Sequence, residues 1–400
     1  MMSIRKRSWT TAKGEEKTAW VVDYVDSAGV RRLKTFTKKK EADAFSATAK
    51  VEVREGVHVA ESASATVRAA GGFWIASAEA AGLERSTVDQ YTQHLELHIA
   101  PLMGDTLLSK VTVPVVRSFE DRLRDEGRSP AMVRKVLVSL GSLLADAQER
   151  GLVARNAVRE KSRARQKGKD RRQERRQTGR LKVGVDIPTR DEIKAIVGAL
   201  EGRWRPLLLT AIFAGLRASE LRGLRWTDVD LDGRELRVHQ RADRYNAVGR
   251  PKSEAGERTV PLPPMVVNTL REWKLVCPKG DLGLVFPNGV GNVESLGNII
   301  NRGLVPAQIR AGVATATGEI DAEGNPVMAA RYTGMHSLRH FYASWCINRP
   351  TDGGLGLPPK VVQERLGHAS IVMTMDVYGH IFPRGDDADE MAAAEKSLLA

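Results

Sequence analysis

The segments HSLRH at 336–340, LGH at 366–368 and DVYGH at 376–380 carry the most informative pattern in this chain. They bring the imidazoles of His336 and His368, the guanidinium of Arg339 and the phenol of Tyr378 close together in the sequence, and Arg217 stands far upstream in GLRASEL. No metal-binding motif or nucleotide-binding loop elsewhere in the sequence offers another chemistry. Together these groups can bind a phosphodiester and supply Tyr378 as a nucleophile.

Cleaving a phosphodiester without a metal ion requires fixed positive charge, because the transition state accumulates negative charge on the non-bridging oxygens. Arginine meets this need with a planar, always charged fork that donates two hydrogen bonds, so Arg217 and Arg339 are the candidates. Nearby cations also favour the ionised form of a tyrosine, which makes Tyr378 the candidate nucleophile.

Lysine and histidine side chains complete the set. Lys252, in a turn, can protonate the departing ribose oxygen, and His336 or His368 can hydrogen-bond the phosphate or take the tyrosine's proton. His336 and His340 also stand four residues apart, as a zinc pair would, but no cysteine or acid is spaced to complete that site. We therefore expect His340 to be a structural residue outside the direct chemistry.

The composition is that of a globular protein with a polyanionic partner. Apolar residues make up 42% and charged residues 28%, with a net charge of +13 and a pI near 9.8. Residues 161–182 hold eleven Lys or Arg against two acids, a net of +9, so the other residues carry only +4. This run is either a solvated linker or one that contacts DNA phosphates. Its candidate contacts are Lys161, Arg163, Arg165, Arg171 and Arg172.

Two cysteines, Cys277 and Cys346, make no disulfide framework, which favours a reducing cytoplasm. The basic residues near the N-terminus are not followed by an apolar segment, so no signal peptide is predicted. No apolar run is long enough to predict a membrane span. The length of 400 residues predicts two or three domains.

A small sheet-plus-helix module is predicted for residues 1–60. Residues 18–25 and 30–37 have the pattern of two strands joined by the turn DSAG, and a helix follows to about Glu55. The cations of its second strand and next turn either lie in a DNA groove or form an inert basic surface. They are Arg31, Arg32, Lys34, Lys38 and Lys39.

Residues 65–160 predict an all-helical module, since apolar side chains recur there at helical spacing. Ser129 is a predicted helix start and Gly151 a predicted helix stop. His94 and His98 stand four apart and could share a metal ion. Without a third ligand nearby, structural roles are favoured for both.

From about residue 183 the pattern mixes helices and strands. Thr189 predicts a helix cap, Asp-Gly at 232–233 predicts a turn between strands, and residues 317–327 predict a surface hairpin. We expect a mainly helical α+β domain with a C-terminal tail over residues 183–400, after the basic linker at 161–182.

The ordered segments GLRASEL, PKSEAGERTVPL, HSLRH, ERLGH and DVYGH resemble the tyrosine recombinases, in particular the phage-type integrases. The resemblance is close over residues 187–382. The resemblance also extends to the order of the two modules upstream of residue 187. It implies an arm-binding module at 1–60 and a SAM-like core-binding domain at 65–160. Matched residue by residue, it implies six catalytic residues: Arg217, Lys252, His336, Arg339, His368 and Tyr378.

The resemblance also implies a mechanism. Tyr378 would attack a scissile phosphate to give a 3′-phosphotyrosine, with His336 as its general base, His368 as a hydrogen-bond donor and Lys252 as the acid. Bond energy is kept in the protein–DNA link, so no cofactor, metal or ATP is implied. Glu220 resembles one of the family's structural acids near the first arginine, and Asp228 resembles another.

The implied substrate is double-stranded DNA with attachment-type core and arm sites, exchanged by four protomers through a Holliday junction. A host DNA-bending protein or a directionality factor is a further expected partner. The expected location is the bacterial host cytoplasm, in association with the nucleoid and not with a membrane. Integration or excision of a phage or mobile element is the expected outcome.

Two alternatives remain. A type IB topoisomerase-like enzyme would share this chemistry but act as a monomer without an arm module. A DNA-binding regulator would keep the fold and lack activity, which the complete set of six residues argues against.

Overall fold

The computed structural model describes residues 2–11, 15–26, 29–56, 58–165, 180–251, 253–383 and 388–399. The chain divides into two compact units, Met1–Asp170 and Arg171–Ala400, and each is described by itself.

The strands are β1 Ser3–Thr10, β2 Glu16–Val25, β3 Arg31–Phe36, β4 Val229–Asp230, β5 Glu235–Val238, β6 Arg241–Ala242, β7 Val248–Gly249, β8 Arg258–Pro261, β9 Ala314–Ile320 and β10 Pro326–Ala330. The helices of the first unit are α1 Lys39–Arg54, α2 Val67–Ala80, α3 Arg85–His94, α4 Ala100–Met103, α5 Val113–Asp125, α6 Pro130–Glu149 and α7 Ala157–Arg165. Those of the second are α8 Arg190–Gly198, α9 Trp204–Ala214, α10 Ala218–Gly223, α11 Pro264–Val276, α12 Leu296–Asn298, α13 Val305–Arg310, α14 His336–Ile347, α15 Pro359–Leu366, α16 Ile371–Tyr378 and α17 Ala388–Leu399.

The first unit begins with the antiparallel sheet β1-β2-β3. Helix α1 covers one face, where Val22 and Tyr24 pack with Ala42 and Phe45. The two predicted strands and the helix are confirmed. Strand β1 was not predicted, because polar residues fill most of its positions and no alternation of apolar and polar residues marks it.

Helices α2 to α7 follow, as expected, and they enclose a core that includes Leu140, Leu143 and Leu144. The Ser129 hydroxyl accepts a hydrogen bond from the Met132 amide at 3.2 Å, so the predicted cap at the start of α6 is confirmed. His94 Nδ1 lies 2.7 Å from the Ser139 hydroxyl in the buried interior, which gives this histidine the structural role expected of it.

In the second unit α9 is the central helix, and nearly all of its residues are buried. It packs against α14 and α11 in one apolar core. The Thr189 hydroxyl caps α8 in a reciprocal pair with Glu192, as predicted. Strands β4, β5 and β8 form a small sheet beside this core, and β9 pairs with β10 as the expected hairpin.

No helix among the described residues is long and apolar enough to span a membrane.

Candidate active site

Four short segments of the second unit meet to form the candidate site: the turn after α9, the first turns of α14, the α15–α16 turn and the end of α16. Gly215 ends α9 with φ of +62°, a left-handed conformation that favours glycine. A Cβ atom at this position would lie 2.1 Å from Cδ1 of Tyr342 on α14. The close approach of the two helices therefore depends on Gly215, and it brings Arg217 beside the start of α14.

Arg339 is the buried centre of the site, with 2% of its surface exposed. Its Nη1 donates to the Gly215 carbonyl at 2.7 Å, and its Nη2 donates to the Leu366 carbonyl. Burial, and then the charge of Arg217, lowers the pKa of Arg339, but an arginine remains protonated in proteins. One guanidinium thus holds the α9 turn and the end of α15 together, and supplies positive charge between them.

Arg217 stands at the N-terminus of α10 and is partly exposed, with 36% of its side chain accessible. Its Nη1 donates to Glu220 Oε1 at 2.8 Å and its Nη2 donates to the Gly367 carbonyl at 3.0 Å. Both Arg217 and Arg339 are therefore anchored to the end of α15. This arrangement fixes two cations in one cleft, as a phosphate clamp requires.

Glu220 binds a second arginine that the sequence analysis did not single out. Arg258, at the start of β8, donates to Glu220 Oε2 from Nη2 at 2.8 Å, and its Nε donates to the Arg365 carbonyl at 2.8 Å. Its side chain is 5% exposed, so it acts inside the fold. Nothing in the local sequence distinguishes this residue from a surface cation. Only the burial of Glu220 reveals that a counter-charge is needed.

Burial opposes the ionisation of Glu220, but the hydrogen bond and charge of Arg258, with the charges of Arg217 and Arg339, lower its pKa to about 2. This carboxylate is therefore ionised at neutral pH. The structural role implied for Glu220 agrees with its geometry, because it fixes the side chain of Arg217.

Tyr378 is the last residue of α16 and has 1% of its surface exposed. Burial raises its pKa to about 12, and the charges of Arg339 and Arg217 oppose that rise. The nucleophile candidate is thus a neutral phenol in this state. Its ring lies parallel to that of His368, with centroids 6.2 Å apart.

The hydroxyl of Tyr378 is hydrogen-bonded to His340, whose Nδ1 lies 2.7 Å away. His340, expected to be a structural residue outside the direct chemistry, thus lies one turn of α14 beyond His336 and contacts the hydroxyl of the candidate nucleophile. His336 is exposed at its outer side and packs edge-to-face on His340 at 4.5 Å. Burial, then the charges of Arg339 and Arg217, lowers the pKa of His336.

His368 is buried in the α15–α16 turn, where its Nδ1 lies 3.0 Å from the Thr374 hydroxyl. Burial, then the charges of Arg339, Arg217 and Arg258, lowers its pKa to about 4. The imidazole is neutral at neutral pH, so it can act as a hydrogen-bond donor through one ring nitrogen only.

Five of the six expected catalytic residues thus meet in one cleft, and the sixth, Lys252, lies outside the described residues. Among the described residues, no group of three or more His, Cys, Asp or Glu side chains is arranged to hold a metal ion.

The candidate DNA contacts of the sheet module lie on two faces of the sheet, because successive side chains of a strand alternate. Arg31 is on the face that α1 leaves open and pairs with Asp23 at 2.5 Å. Arg32 and Lys34 are on the helix-covered side, paired with Asp26 at 2.8 Å and Glu61 at 2.9 Å. These three candidate contacts therefore do not share one face of the sheet, and Arg32 and Lys34 already have partners within the module.

Strand β1 also carries cations that were not among the expected DNA contacts. From the sequence they were noted only as basic residues near the N-terminus that no apolar segment follows. Arg5 pairs with Val21 of β2, and Arg31 pairs with Val25 of the same strand. Val21 and Val25 are four residues apart and lie on the same face, and Arg7 lies two residues from Arg5. Arg5, Arg7 and Arg31 therefore share the open face. Lys38 and Lys39 are exposed at the start of α1. The sequence would have predicted this face only if apolar residues had alternated with the arginines along β1.

Lys161 is not available to DNA in this structure, because it is buried and pairs with the buried carboxylate of Glu120. Lys161 is therefore removed from the candidate DNA contacts by its burial and its pairing with Glu120. Arg163 and Arg165 lie in the last turn of α7, but the structure does not describe their side chains. Arg171 and Arg172 lie outside the described residues.

The chain is similar to known recombinases and integrases. Residues 188–384 match the phage integrase family. The chain is 30% identical over 230 residues to a XerC-like tyrosine recombinase of Caldanaerobacter subterraneus, covering 51% of this chain and 53% of that protein. It is 25% identical over 390 residues to the integrase of Mycobacterium phage D29, covering 94% of this chain and 93% of that protein. The chain thus spans about half the length of the first relative and nearly all of the second.

Solved structures show the same fold. The Tn1549 transposon integrase (residues 82–397) in complex with transposon right end DNA has a TM-score of 0.59 at 17% identity, covering 84% of this chain and 100% of that one. A lambda integrase tetramer bound to a Holliday junction has a TM-score of 0.52 at 18% identity, covering 91% and 95%. In its second unit, where arginines, histidines and a tyrosine lie together, the chain is therefore similar to the phage integrase family, and it is similar to tyrosine recombinases and phage integrases among the known proteins.

Proposed function

We propose that this chain is a phage-type integrase of the tyrosine recombinase family, a site-specific recombinase that cuts and rejoins double-stranded DNA through a 3′-phosphotyrosine, integrating or excising a phage or mobile element. The observation that carries the proposal is the convergence of Arg217, Arg339, His368 and Tyr378 in one cleft. The phosphate would bind between the two guanidinium groups, where the planar forks meet its non-bridging oxygens.

The reaction is a transesterification in two balanced steps. The Tyr378 oxygen forms a bond to phosphorus, and the bond from phosphorus to the 5′ oxygen breaks. The 5′ oxygen takes a proton and leaves as a hydroxyl. Rejoining reverses these steps with a 5′-hydroxyl of another strand, so the phosphotyrosine keeps the bond energy and no ATP is consumed.

His368 is proposed to donate a hydrogen bond to the phosphate. When the Thr374 hydroxyl donates to Nδ1, the ring proton must lie on Nε2, and the hydrogen bond fixes this tautomer. The low pKa of this histidine keeps the ring from carrying a second proton at neutral pH.

Lys252 is proposed to protonate the leaving 5′ oxygen, and this role predicts selective chemical rescue. We expect Lys252→Ala to slow cleavage by about 10²–10⁴-fold, the usual contribution of a general acid. A substrate with sulfur in place of the bridging 5′ oxygen should restore the rate, because a thiolate leaves without protonation. Arg339→Ala should gain no such rescue. Equal slowing of Lys252→Ala on both substrates would refute the role.

The arm-binding module is proposed to contact DNA through the open face of its sheet, with Arg5, Arg7 and Arg31. We propose that DNA is also bound by the SAM-like core-binding domain at 65–160 and by the linker at 161–182. The further phosphate contacts proposed are Arg163, Arg165, Arg171 and Arg172. Lys38 and Lys39 extend this set at the exposed start of α1.

Removing Arg5 and Arg7 together should weaken DNA binding in a salt-dependent way. The slope of log affinity against log salt should fall by about 2, because each phosphate contact contributes about 0.9. The matched control removes the exposed cations Lys50 and Arg54 from α1 and should leave the slope unchanged. Titration of a DNA duplex with the full chain at several salt concentrations measures both. Equal slopes for the two double variants would contradict the assignment of the open face.

A homotetramer on two DNA duplexes is the proposed active assembly, with a host DNA-bending protein or directionality factor as an accessory. The tetrameric lambda integrase on a Holliday junction supports it by analogy. Helix α17 presents exposed apolar residues, among them Leu398 and Leu399, which suit docking on a neighbouring protomer. The proposed location is the cytoplasm of a bacterial host, on the nucleoid.

Strand exchange separates this function from the alternatives. The recombinase should join two duplexes that carry its attachment sites and should not relax a supercoiled plasmid that lacks them. A type IB topoisomerase-like enzyme would relax such a plasmid as a monomer, and a silent regulator would bind DNA without cutting it. Relaxation without a site, or binding without cleavage, would overturn the proposal.

A further inference from the structure

We propose that His340 takes the phenolic proton of Tyr378 when that oxygen attacks DNA, in place of the His336 that the family resemblance implies. The inference rests on the proposed function, because it assumes that Tyr378 is the nucleophile. It adds a catalytic residue that touches the reacting atom.

The geometry of the Tyr378 hydroxyl carries the inference. His340 Nδ1 lies 2.7 Å from the hydroxyl oxygen, within the range of a proton-transfer contact. The two rings meet at 5.8 Å with an angle of 63° between their planes. Tyr378 is 1% exposed, so bulk water does not compete as the acceptor. His336 lies outside this pair, with its ring packed on the His340 ring.

The charges that face His340 keep it neutral before DNA binds. Burial, then His336 and Arg339, lowers its pKa to about 4, and Asp186 opposes that change. A neutral imidazole has one lone-pair nitrogen, and in the tautomer with its proton on Nε2 that nitrogen is Nδ1, which accepts from the phenol; the phenol holds its own proton at neutral pH. In this state the pair is therefore a phenol hydrogen-bonded to a neutral base.

When Tyr378 attacks DNA, the basicities of His340 and of the phenolic oxygen both change in the direction that favours proton transfer to His340. The phosphate's negative charge would offset that of Arg339 and so raise the pKa of His340. The phenolic oxygen loses its basicity as it bonds to phosphorus. The proton passes from the Tyr378 oxygen to His340 Nδ1, while the leaving 5′ oxygen receives a separate proton from Lys252. One bond to phosphorus forms and one breaks, and each proton has a donor and an acceptor.

Two substitutions separate proton transfer from hydrogen bonding. His340→Asn places an amide near the Nδ1 position, so it can accept a hydrogen bond but cannot act as a base. His340→Ala opens a space that an added imidazole can fill. We expect both to slow single-turnover cleavage of a nicked DNA site by about 10²–10⁴-fold. Added imidazole should restore cleavage by His340→Ala, at rates that follow the basicity of substituted imidazoles, and should not restore His340→Asn.

The controls use other histidines of the chain. His239→Asn alters a histidine that binds Asp228 at 2.7 Å outside the cleft, and it should cleave at the wild-type rate. His336→Ala should slow cleavage without imidazole rescue. Thermal melting of each variant tests whether the fold is kept. Asparagine has a shape similar to the part of the histidine side chain that it replaces, so His340→Asn is expected to keep the fold.

Wild-type cleavage by His340→Asn would overturn the inference, as would imidazole rescue of His336→Ala instead of His340→Ala. In both cases wild type would still form an adduct on Tyr378, so the proposed function would stand. Failure of wild type to form any adduct would overturn the proposed function, and the inference with it. The wild-type reaction in the same experiment distinguishes these failures.

Discussion

Arg339→Lys should lower the rate of DNA cleavage by about 10²–10³-fold or more, the cost of removing one fixed donor to a developing anionic charge. Lysine keeps the positive charge but has a single ammonium group in place of the planar guanidinium, which can donate in two directions. Arg339 uses that fork to hold the carbonyls of Gly215 and Leu366. A single ammonium cannot bridge both and also meet a phosphate.

The measurement is single-turnover cleavage of a nicked site, with DNA affinity measured in parallel. Arg331→Lys is the matched control, because Arg331 is exposed and pairs with Glu192 away from the cleft. It should cleave like wild type. Affinity should change little in Arg339→Lys, since the net charge is unchanged. A variant that cleaves within about threefold of wild type would show that Arg339 is not part of the phosphate clamp.

Glu220→Gln should destabilise the catalytic unit by about 3–5 kcal/mol, the usual cost of breaking a buried ion pair on one side. Its partner Arg258 is 5% exposed and would keep an uncompensated charge in the interior. The melting temperature should fall by roughly 6–20 °C, taking about 2–4 °C for each kcal/mol in a unit of this size. Glu235→Gln, at an exposed position of β5, should melt like wild type.

The effect of Glu220→Gln should depend on pH with a definite sign. The pKa of Glu220 is lowered from 4.5 to about 2, so its contribution is fully present above about pH 4.5. It is lost as pH falls toward 2, and the shift corresponds to about 3 kcal/mol. The difference in free energy of unfolding between wild type and Glu220→Gln should therefore narrow in acid. A difference that is constant from pH 6 to pH 3 would contradict this account.

The sequence predicted those parts of the fold that local rules decide. Ser129 and Thr189 marked helix starts because a hydroxyl there satisfies a free amide, whatever the rest of the fold does. Strand β1 gave no such signal, because its hydrogen bonds to β2 depend on a partner and its own residues are mostly polar. Pairing across a sheet overrides weak local preference.

Within the site, motif order was sufficient to predict which residues meet, but not which atoms touch. Arg217, Arg339 and Tyr378 come together as expected. That His340 and not His336 reaches the phenol depends on how α14 is rotated against α16, which sequence spacing does not determine. Arg258 was missed for a similar reason, since its counter-charge Glu220 is distant in sequence.

Charge was the least reliable guide to an interface. Lys161 lies in the basic run yet is buried against Glu120, and Arg32 pairs with Asp26 on the covered side of the sheet. A cation count along the chain does not show which cations already have partners within the fold. The open face with Arg5 and Arg7 became visible only once the strand register was known.

The most direct test of the central claim is the covalent adduct on a nicked DNA site, from which the cut segment diffuses away and traps the intermediate. Wild type should form a protein–DNA adduct that resists denaturation, and proteolysis should place the DNA on the peptide that contains Tyr378. Tyr378→Phe should form none, while Tyr332→Phe, which removes a hydroxyl bound to Glu192 at 2.7 Å, should react like wild type. An adduct that persists in Tyr378→Phe, or that maps to another residue, would contradict the account.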